Sequence, residues 1–335
     1  MGLFKKKRVA INGLGRIGKQ FLMAAIEKKA DWDFVINHTG DLDFIVYSLK
    51  YDSVQPKPKE KITHDGKFLY YGGRKIIIFN ELDPAKLPWT KEKIDLVAEC
   101  TGHFTEREGA IKHIQAGAKK VLISAPAKGH DVTIVYGVNN SALKKEHTII
   151  SAGSCTTNCV APMVKIINDA YGIKAGHFVT THAYTSTQRL IDGVDKKDVR
   201  RGRAAAIDIV PSSSGASQSV VEAVPEIKGK LGGYALRVPV VDGSFASVFL
   251  KIDKKATAEE INNLFKKKAN GDMKGIVEYM EEQIVSSDII HDSDSCIFDS
   301  NFTSVIDDLI SIAGWYDNEW GYSCRLVDVG KLILK

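Results

Sequence analysis

Short apolar runs alternate with amphipathic stretches over the first half of the chain. Apolar runs at residues 8–12 and 33–37 predict two buried strands. Between them, at 19–30, apolar side chains recur at helical spacing and predict an amphipathic helix. Further strand-like runs lie at 75–79, 94–99, 120–124 and 132–136, with a helix-like stretch at 105–116. This alternation predicts an α/β fold of the Rossmann type, a doubly wound and largely parallel sheet.

The second half of the chain has longer β-rich segments and fewer helices. Residues 175–181 and 243–252 predict strands, and 257–269 predicts a helix. This order is typical of an α+β domain with a mixed or antiparallel sheet. Because 335 residues exceed what one small core holds, we expect a dinucleotide-binding domain at 1–154 and a catalytic domain at 155–320.

The composition is that of an ordinary globular protein, with 44% apolar and 26% charged residues. A net charge of +5 permits anionic substrates but does not call for nucleic acid. The basic start at 5–8 leads into a strand-like run rather than a signal peptide, and no apolar run is long enough to span a bilayer. Five cysteines, an odd number without metal-type spacing, suit a reducing cytosol. We therefore expect a cytoplasmic protein.

A glycine-rich loop joins the first predicted strand to the first predicted helix. Gly13, Gly15 and Gly18 form the pattern G-x-G-x-x-G, and this context makes the pattern a dinucleotide-binding signal. Gly13 allows a tight turn, Gly15 lets the backbone approach a pyrophosphate, and Gly18 lets helix and strand pack closely. The pyrophosphate would rest on the helix N-terminus. The alternative is a glycine-rich turn without a ligand.

The position that usually selects between NAD and NADP carries a histidine. Dinucleotide folds place Asp or Glu about 20 residues beyond the glycines to bind the adenosine ribose, and this chain has His38 there. An acidic side chain would repel a 2′-phosphate and a histidine would not, so NADP is not excluded. The alternative is a solvated loop residue, with NAD held by other contacts. Thr101, Gly102 and Ser124 each follow a predicted strand, where they would line the cofactor cleft or form plain turns.

Cys155 is the main candidate for a nucleophile. It lies between an apolar β-branched run and a helix-like stretch, and the unpaired N–H groups of a helix N-terminus favour negative charge. We therefore expect a lowered pKa and a reactive thiolate. The alternative is a buried structural cysteine, which the hydroxyl-rich flank at 154–158 disfavours. A metal pair with Cys159 has no further ligand nearby, so no metal is predicted.

His182 follows the strand-like run at 175–181 and is the candidate partner of this cysteine. A Cys–His pair would hold the thiolate and move a proton at neutral pH. The alternative is a packed or surface histidine, which is the commoner case for a histidine without a reactive partner.

Features suited to phosphate lie further along. A basic stretch at 196–203 precedes the hydroxyl-rich run 211–215, and guanidinium, hydroxyl and backbone N–H groups are the ligands of oxyanions. Arg237 lies in an apolar run and needs a partner, either a bound phosphate or a structural carboxylate. Asn318 lies among aromatic residues, where it would bond a carboxamide or form a turn in an aromatic core.

These motifs make the chain similar to phosphorylating glyceraldehyde-3-phosphate dehydrogenase. The resemblance extends from residue 9 to about residue 329 and rests on motifs at 10–13, 50–53, 154–159, 203–205, 236–239 and 315–323. It implies oxidation of glyceraldehyde 3-phosphate by NAD or NADP with uptake of inorganic phosphate, in glycolysis or gluconeogenesis. It also implies a homotetramer that requires neither membrane nor nucleic acid, with a C-terminal helix at 321–335 that returns to the first domain.

The resemblance assigns roles to individual residues. Cys155 would attack the aldehyde, and His182 would activate the thiol and take the hydroxyl proton. Thr185 and Arg237 match the site for the substrate's own phosphate, and Asn318 matches the residue that orients the nicotinamide carboxamide. The residues that match sites for the incoming phosphate are Ser154, Thr156, Arg200, Ser214 and Gly215. The candidate cofactor contacts are Gly13, Gly15, Arg16, Ile17, Gly18, His38, Thr101, Gly102, Ser124 and Asn318.

Three departures from the family pattern bear on cofactor choice. His38 replaces the ribose-binding Asp, and Leu82 stands where many members have an arginine. Residues 193–194 replace a Leu-Pro pair common in strictly NAD-using bacterial members. We therefore predict dual or NADP-leaning specificity.

Two other interpretations compete with this one. Erythrose-4-phosphate dehydrogenase has the same overall plan but hydrolyses its thioester. In this chain the residues that match the incoming-phosphate site favour phosphorolysis instead. A non-catalytic RNA-binding or scaffold protein would use the basic stretch at 196–203. That interpretation leaves Cys155, His182 and the glycine loop unexplained.

Overall fold

A computed structural model describes residues 6–196 and 198–335 of the chain. These residues form two compact units. The first contains the described residues up to Ile134, with Asn140–Gly153 and Ser323–Lys335, and the second contains Val135–Asn139 and Ser154–Tyr322. No helix in this part of the chain combines the length and hydropathy that a membrane span requires.

The first unit contains β1 (Lys7–Asn12), β2 (Trp32–Asn37), β3 (Ile62–His64), β4 (Phe68–Tyr71), β5 (Arg74–Phe79), β6 (Leu96–Glu99), β7 (Val121–Ile123), β8 (Val132–Thr133) and β9 (Ile149–Ser151). Its helices are α1 (Arg16–Glu27), α2 (Leu42–Lys50), α3 (Trp89–Glu92) and α4 (Arg107–Gln115). The second unit contains α5 (Cys155–Tyr171), α6 (Ala216–Ala223) and α7 (Ala258–Asn270). Its strands are β10 (Ile173–Ala183), β11 (Val210–Ser213), β12 (Leu231–Val238), β13 (Ser244–Ile252), β14 (Val277–Met280), β15 (Cys296–Asp299), β16 (Ser304–Ile306) and β17 (Leu309–Tyr316). The last helix, α8 (Trp320–Ile333), belongs mostly to the first unit.

The sheet of the first unit is largely parallel, as the sequence predicts. Its strands follow the order β3-β4-β5-β2-β1-β6-β7-β9-β8, and only the pairings of β3 and β4 at one edge are antiparallel among the described strands. Strand β1 pairs in parallel with β2 on one side and β6 on the other. Its residues Val9, Ala10 and Ile11 are fully buried, which explains why this run is continuously apolar. The predicted Rossmann-type class is confirmed.

The sheet of the second unit is mixed, which confirms the α+β expectation. Its order is β11-β12-β10-β13-β17-β15-β14, with β16 paired to β17. Strand β10 pairs in parallel with β12 and antiparallel with β13. Helix α5 belongs to the core of this unit, where Val160 and Met163 of the helix are buried in one cluster with Val248 and Ile312 of the strands. This packing fixes α5, and therefore its N-terminal residue, against the sheet.

Two details differ from the expectations. The strand predicted at 175–181 extends to Ala183, so His182 lies within β10 rather than after it. Helix α2 was not predicted, although Asp41 provides a clear start signal, since its carboxylate accepts a hydrogen bond from the Phe44 N–H at 2.7 Å. The end of β10 was missed because strand ends carry weak apolar patterns, and α2 was missed because its short apolar run does not distinguish a helix from a strand by periodicity.

Candidate active site

The glycine loop needs glycine at two positions for steric reasons. Gly13 has a φ of +89°, and a Cβ there would lie 2.7 Å from Cγ2 of Thr101. A Cβ at Gly18 would lie 2.0 Å from the carbonyl oxygen of Gly13. Helix α1 can therefore pack this close to the loop only if residue 18 is glycine. No atom lies within 4 Å of a Cβ placed on Gly15. The loop therefore presents bare backbone at the N-terminus of α1, which fits a pyrophosphate.

A cavity of ≈ 330 Å³ opens beside this loop. The residues that line it are Asn12, Gly13, Gly15, Asn37, His38, Thr39, Glu81, Leu82, Cys100, Thr101, His103 and Phe104. They follow the carboxyl ends of β1, β2, β5 and β6, and the strand order reverses at β1. Ligands of open parallel sheets bind at such a point. Gly13, Gly15, His38 and Thr101 therefore come together as predicted, in a cavity suited to one half of a dinucleotide.

A buried polar network that the sequence did not reveal supports this cavity. The Glu99 carboxylate accepts hydrogen bonds from Nδ2 of Asn12 at 2.6 Å and from the Thr101 N–H at 2.8 Å. It also lies 3.0 Å from Nε2 of His113. Because Nε1 of Trp89 donates to Nδ1 of His113 at 3.0 Å, the imidazole proton lies on Nε2 and faces Glu99. Two residues of the cavity wall, Asn12 and Thr101, are thus held in place by a fully buried carboxylate.

His38 is held as a neutral side chain. The Leu14 N–H donates to its Nδ1 at 3.3 Å, and burial lowers its pKa. The hydrogen bond places the ring proton on Nε2, and burial disfavours the positive charge that would attract a 2′-phosphate. The carboxylate of Glu81, which sequence reasoning missed, lines the same cavity. The charge argument for NADP is therefore weaker in the structure than in the sequence.

Arg16 is the first residue of α1, and an ion pair holds its side chain against the fold. Its Nη1 and the Nζ of Lys19 each lie 2.5 Å from Oδ2 of Asp52. Burial opposes ionisation of Asp52, but hydrogen bonds from Lys19, the N–H groups of Val54 and Gln55, and Arg16 hold its pKa well below its usual range. The recognised motif at 50–53 therefore supplies an anchor for the start of α1.

Three other predicted cofactor residues lie outside the lining of this cavity. Ile17 is half-buried in the first turn of α1. Gly102 has a φ of +72° in an exposed turn after β6. The Ser124 hydroxyl donates to the carbonyl oxygen of Glu99 at 2.9 Å and so ties the ends of β7 and β6 together. Their contacts with a cofactor stay predictions.

Cys155 is the first residue of α5, and its neighbours define the start of that helix. Gly153 has a φ of +65°, a left-handed backbone that glycine adopts freely. Oγ of Ser154 accepts from the Thr157 N–H at 3.0 Å, and Oγ1 of Thr157 accepts from the Ser154 N–H at 3.1 Å. This capping box fixes the backbone on both sides of Cys155. The thiol therefore lies at a helix N-terminus, as predicted, and remains partly exposed.

His182 and Arg237 complete the site around this thiol. Nε2 of His182 lies 3.3 Å from Sγ of Cys155, and the parallel register of β10 and β12 sets His182 opposite Arg237. Nδ1 of His182 lies 2.6 Å from the oxygen of Ala183 and 2.7 Å from Nη1 of Arg237. The carbonyl only accepts and the guanidinium only donates, so the ring tautomer selects between these contacts. A proton on Nδ1 turns a lone pair toward the thiol, and a proton on Nε2 supports a thiolate.

The resting sulfur is more protonated than the sequence predicts. Burial raises the pKa of the Cys155 thiol to about 11, against the opposing effects of the Arg237 charge and hydrogen bonds from Thr156. Burial and then the Arg237 charge lower the pKa of His182 to about 3. The expected low-pKa thiolate is therefore wrong for the resting site, because desolvation outweighs the field of the helix N-terminus.

Ionisation of this pair is easiest as a proton transfer from sulfur to imidazole. The two atoms are 3.3 Å apart, where opposite charges attract by on the order of 5 kcal/mol at an effective dielectric constant of about 20. Each group therefore makes the other easier to ionise, and the two titrate together. The site can supply a thiolate to an incoming carbonyl without releasing a proton to water.

Hydroxyl groups behind the pair keep the imidazole in position. Oγ1 of Thr156 lies 2.9 Å from the Tyr316 hydroxyl, and Oγ1 of Thr180 lies 2.6 Å from it. Burial raises the pKa of Tyr316, so the phenol keeps its proton, and its ring packs edge-on against His182. The hydroxyls of Thr156 and Ser154 are both engaged within the fold, and their contact with an incoming phosphate stays a prediction.

Asn318 is oriented by a chain of hydrogen bonds that starts on the strand of His182. The Ala183 N–H donates to Oγ of Ser244 at 3.1 Å, and this hydroxyl donates to Oδ1 of Asn318 at 2.6 Å. These hydrogen bonds engage the amide oxygen of Asn318, so its NH₂ group can donate to another acceptor. A carboxamide oxygen is such an acceptor, so the polarity fits the predicted role.

Three candidate phosphate residues have local partners instead of contacts with the Cys–His pair. Oγ1 of Thr185 lies 2.9 Å from Oγ1 of Thr187. Oγ of Ser214 accepts from the Ala216 N–H at 3.2 Å, and Gly215 precedes the first turn of α6. Ser214 and Gly215 thus lie at a helix start, where backbone N–H groups suit an anion. Their phosphate roles stay predictions.

The two adjacent arginines of the basic stretch lie in different surroundings, and the phosphate role of Arg200 stays a prediction. The Arg200 side chain is 63% exposed, with its Nε 3.7 Å from Asp198. Burial lowers the pKa of Arg237, and the charge of Arg201 lowers it further. The sequence could not distinguish these adjacent arginines, because the 3-10 turn at Val199–Gly202 leaves Arg200 more exposed than Arg201.

A glycine loop that fits a pyrophosphate in one unit, and a cysteine in contact with a histidine in the other, are the parts that a cysteine-dependent dehydrogenase requires. Two family models match the chain: "Glyceraldehyde 3-phosphate dehydrogenase, NAD binding domain" over residues 7–107 and the corresponding "C-terminal domain" over residues 154–318. The chain belongs to the glyceraldehyde-3-phosphate dehydrogenase family.

Individual relatives match over nearly their whole length. Glyceraldehyde-3-phosphate dehydrogenase 2 of Streptomyces avermitilis is 46% identical over 325 residues, which cover 96% of this chain and 97% of the relative. The enzyme of Streptomyces coelicolor is 47% identical over 326 residues, with 96% and 97% covered. Glyceraldehyde-3-phosphate dehydrogenase 3 of Kluyveromyces marxianus is 44% identical over 330 residues, with 98% and 99% covered.

Replacing His182 by Asn should move the reactivity of Cys155 to higher pH. Asn cannot accept the thiol proton, so the thiolate must then form by ionisation to water. We expect the midpoint of the pH profile for alkylation of Cys155 by iodoacetamide to rise by a unit or more, about 1.4 kcal/mol or more. Peptide mapping from about pH 6 to about pH 10 measures it, with Cys159→Ser as a background that removes the nearby thiol. Identical profiles with and without the imidazole would refute proton transfer to His182.

Proposed function

We propose that this protein oxidises glyceraldehyde 3-phosphate to 1,3-bisphosphoglycerate, with NAD or NADP as hydride acceptor and inorganic phosphate as second substrate. The reaction is reversible and serves glycolysis or gluconeogenesis. The observation that carries the proposal is the 3.3 Å contact between Sγ of Cys155 and Nε2 of His182, with the Arg237 guanidinium beside the ring. Family membership supports the choice of substrate.

The Cys–His pair performs the covalent steps. Sγ of Cys155 bonds to the aldehyde carbon, and its proton passes through His182 to the carbonyl oxygen, giving a thiohemiacetal. Nε2 of His182 then removes the hydroxyl proton as hydride leaves the carbon, and a thioester to Cys155 remains. Bound NAD(P) supplies the hydride acceptor. Inorganic phosphate attacks the thioester carbon, the C–S bond breaks, and the acyl phosphate leaves with the thiolate regenerated.

Arginine charge near the pair supports binding of a phosphorylated substrate. Burial lowers the pKa of Arg237, and the positive charge of Arg201 lowers it further, so the Arg237 guanidinium favours a nearby anion. A phosphate dianion between them would relieve this repulsion and accept charge-assisted hydrogen bonds. We assign the substrate's own phosphate to Arg237 with Thr185, as the family pattern implies, and the incoming phosphate to the residues around Ser214 and Gly215. Arg201 is added to the predicted set.

The loop between β10 and β11 supports assembly into a homotetramer. Its apolar side chains are largely exposed in the single chain: Leu190 79%, Ile191 77%, Val194 76%, Val199 81%, Ile207 79% and Ile209 65%. A cluster of exposed aliphatic residues of this size normally contacts another protein surface. Other copies of this chain are the partners that the family pattern implies.

The cysteines support a cytoplasmic location. All five are free: Cys100, Cys155, Cys159, Cys296 and Cys324. A reducing compartment keeps such thiols intact and keeps the nucleophile available.

The proposal for cofactor choice is use of both NAD and NADP. The absence of a carboxylate at position 38 leaves room for a 2′-phosphate, which favours NADP. The neutral state of His38 and the Glu81 carboxylate in the same cavity favour NAD. Opposing influences of this kind argue for dual specificity rather than a strong preference.

Turnover should require inorganic phosphate. Without it, the thioester should accumulate on Cys155 after about one hydride transfer per site, because water is the only remaining nucleophile. Steady-state production of reduced cofactor, with arsenate as an alternative oxyanion, measures this. Equal turnover with and without phosphate would instead support hydrolysis of the thioester, as in the erythrose-4-phosphate interpretation.

Replacing His38 by Asp should make the enzyme selective for NAD. The new carboxylate would repel the 2′-phosphate and bond the ribose hydroxyl, so we expect the kcat/KM ratio of NADP to NAD to fall at least about tenfold, ~1.4 kcal/mol. A wild-type preference for NAD above about a hundredfold in kcat/KM, ~2.7 kcal/mol, would contradict dual specificity.

A further inference from the structure

A buried pair of acidic side chains lies next to Asn318, and the chemistry described above does not use it. Asp242 and Asp317 are each 1% exposed, and a side-chain hydrogen bond joins their carboxyl groups. They extend the ends of two paired strands. Asp242 lies two residues before Ser244, the first residue of β13, and Asp317 directly follows Tyr316, the last of β17; Ser244 and Tyr316 are paired in the antiparallel register. The pair therefore closes the end of this strand ladder.

The hydrogen bonds around the pair show which carboxyl carries a proton. Oδ1 of Asp317 accepts from the N–H groups of Glu319 at 2.8 Å and Trp320 at 2.7 Å, and its Oδ2 accepts from the His291 N–H at 2.7 Å. Both oxygens of Asp317 thus already accept hydrogen bonds from backbone N–H groups. Two carboxylates have no donor between them, so their mutual hydrogen bond requires one proton. That proton belongs to Asp242.

The surroundings of Asp242 agree with this assignment. Burial, followed by the charges of Asp317 and Glu319, raises its pKa to about 8, while the Gly243 N–H bond opposes the shift. Asp317 and Glu319 face it from the turn before α8, and the Cys155 thiol acts on it electrostatically from the start of α5. Near neutral pH the carboxyl of Asp242 is largely protonated.

The pair adjoins both segments that hold Asn318: the turn that carries Asn318 itself and the start of β13, which carries Ser244. Asp317 is the residue before Asn318, and its bonds to the Glu319 and Trp320 N–H groups fix the turn that carries Asn318. Ser244, whose hydroxyl donates to Oδ1 of Asn318 at 2.6 Å, lies two residues after Asp242. Ionisation of Asp242 would set two negative charges against each other at the point where these two segments meet.

We propose that Asp242 is a positioning residue whose protonated carboxyl donates to Asp317 and thereby holds Ser244 and Asn318 in the geometry that orients the nicotinamide carboxamide. This inference rests on the proposed role of Asn318 in cofactor binding. The proton on Asp242 has a second consequence. An ionised Asp242 would raise the pKa of the Cys155 thiol, and a neutral Asp242 does not. Loss of the proton thus weakens cofactor orientation and thiolate formation together.

Cofactor KM as a function of pH tests the positioning role. In the wild type, we expect KM for NAD to rise at least about threefold as Asp242 loses its proton between about pH 7 and about pH 9.5. Asp242→Asn keeps a donor toward Asp317 at every pH, so its KM should stay flat. Asp242→Ala has no donor, so its KM should be raised at all pH values. Glu278→Gln is the matched control, since burial also raises the pKa of this carboxyl but it lies on β14; it should keep the wild-type pH dependence.

Thermal unfolding of the same variants tests the shared proton without reference to catalysis. Between about pH 4 and about pH 8 the folded carboxyl keeps a proton that the unfolded chain releases, so Asp242 makes the wild type less stable as pH rises. The midpoint of Asp242→Asn minus that of the wild type should therefore increase over this range and level off above it. A difference that does not change with pH would overturn the shared proton.

The two measurements separate the parts of the inference. A pH-dependent difference in unfolding midpoint, together with a cofactor KM that neither pH nor Asp242→Ala changes, would overturn the positioning role. Asn318→Ala, assayed by direct NAD binding, tests the underlying role of Asn318 independently. If that variant binds NAD like the wild type, the proposed cofactor role of Asn318 fails, whatever the state of Asp242.

Discussion

Removal of water from the contact between Cys155 and His182 is the constraint on which the site depends. His182 is 3% exposed, and burial shifts the thiol and the imidazole toward their neutral forms. Burial therefore opposes charge on either group alone, and charge can develop on both by movement of one proton over a short distance. Arg237 supplies a fixed positive charge beside them, which favours negative charge on the sulfur or on the substrate oxygen.

Strand register brings these groups together. His182 lies opposite Arg237 in the parallel pairing of β10 with β12, and the Ala183 N–H reaches Ser244 of β13, which holds Asn318. One strand, β10, thus carries His182 and connects on its two sides to Arg237, the proposed phosphate ligand, and to Asn318, the proposed contact of the cofactor amide. A one-residue slip of either neighbouring strand would turn these side chains to the wrong face. The strand pairing that stabilises the sheet therefore also sets the geometry of the site.

Local features of the sequence predicted much of this arrangement. The glycine loop was recognisable because close packing at Gly18 and a positive φ at Gly13 demand glycine within a short strand–turn–helix segment. Cys155 was recognisable because its capping residues are adjacent to it in the chain. Long-range contacts were not predictable. Glu99 contacts Asn12, 87 residues away, and Asp242 contacts Asp317 at the end of a strand pair. Neither contact could be predicted from the local pattern of apolar and polar residues.

One wrong expectation has a clear physical cause. The lowered pKa of Cys155 was inferred from residue type and position in the chain, whereas burial raises the pKa of this thiol. Solvent exclusion is a property of the assembled core, to which residues far apart in sequence contribute. Composition and spacing therefore identify which groups can react but not the charge they carry at rest.

Mass spectrometry of the acylated enzyme tests the central claim most directly. Wild-type protein given aldehyde substrate and NAD, with no phosphate, should carry one acyl group per chain on Cys155. The oxygen analogue Cys155→Ser should carry none and should form no reduced cofactor, whereas Cys159→Ser, one helical turn away, should be acylated like the wild type. Full aldehyde oxidation by Cys155→Ser, or an acyl group on another residue, would contradict the account.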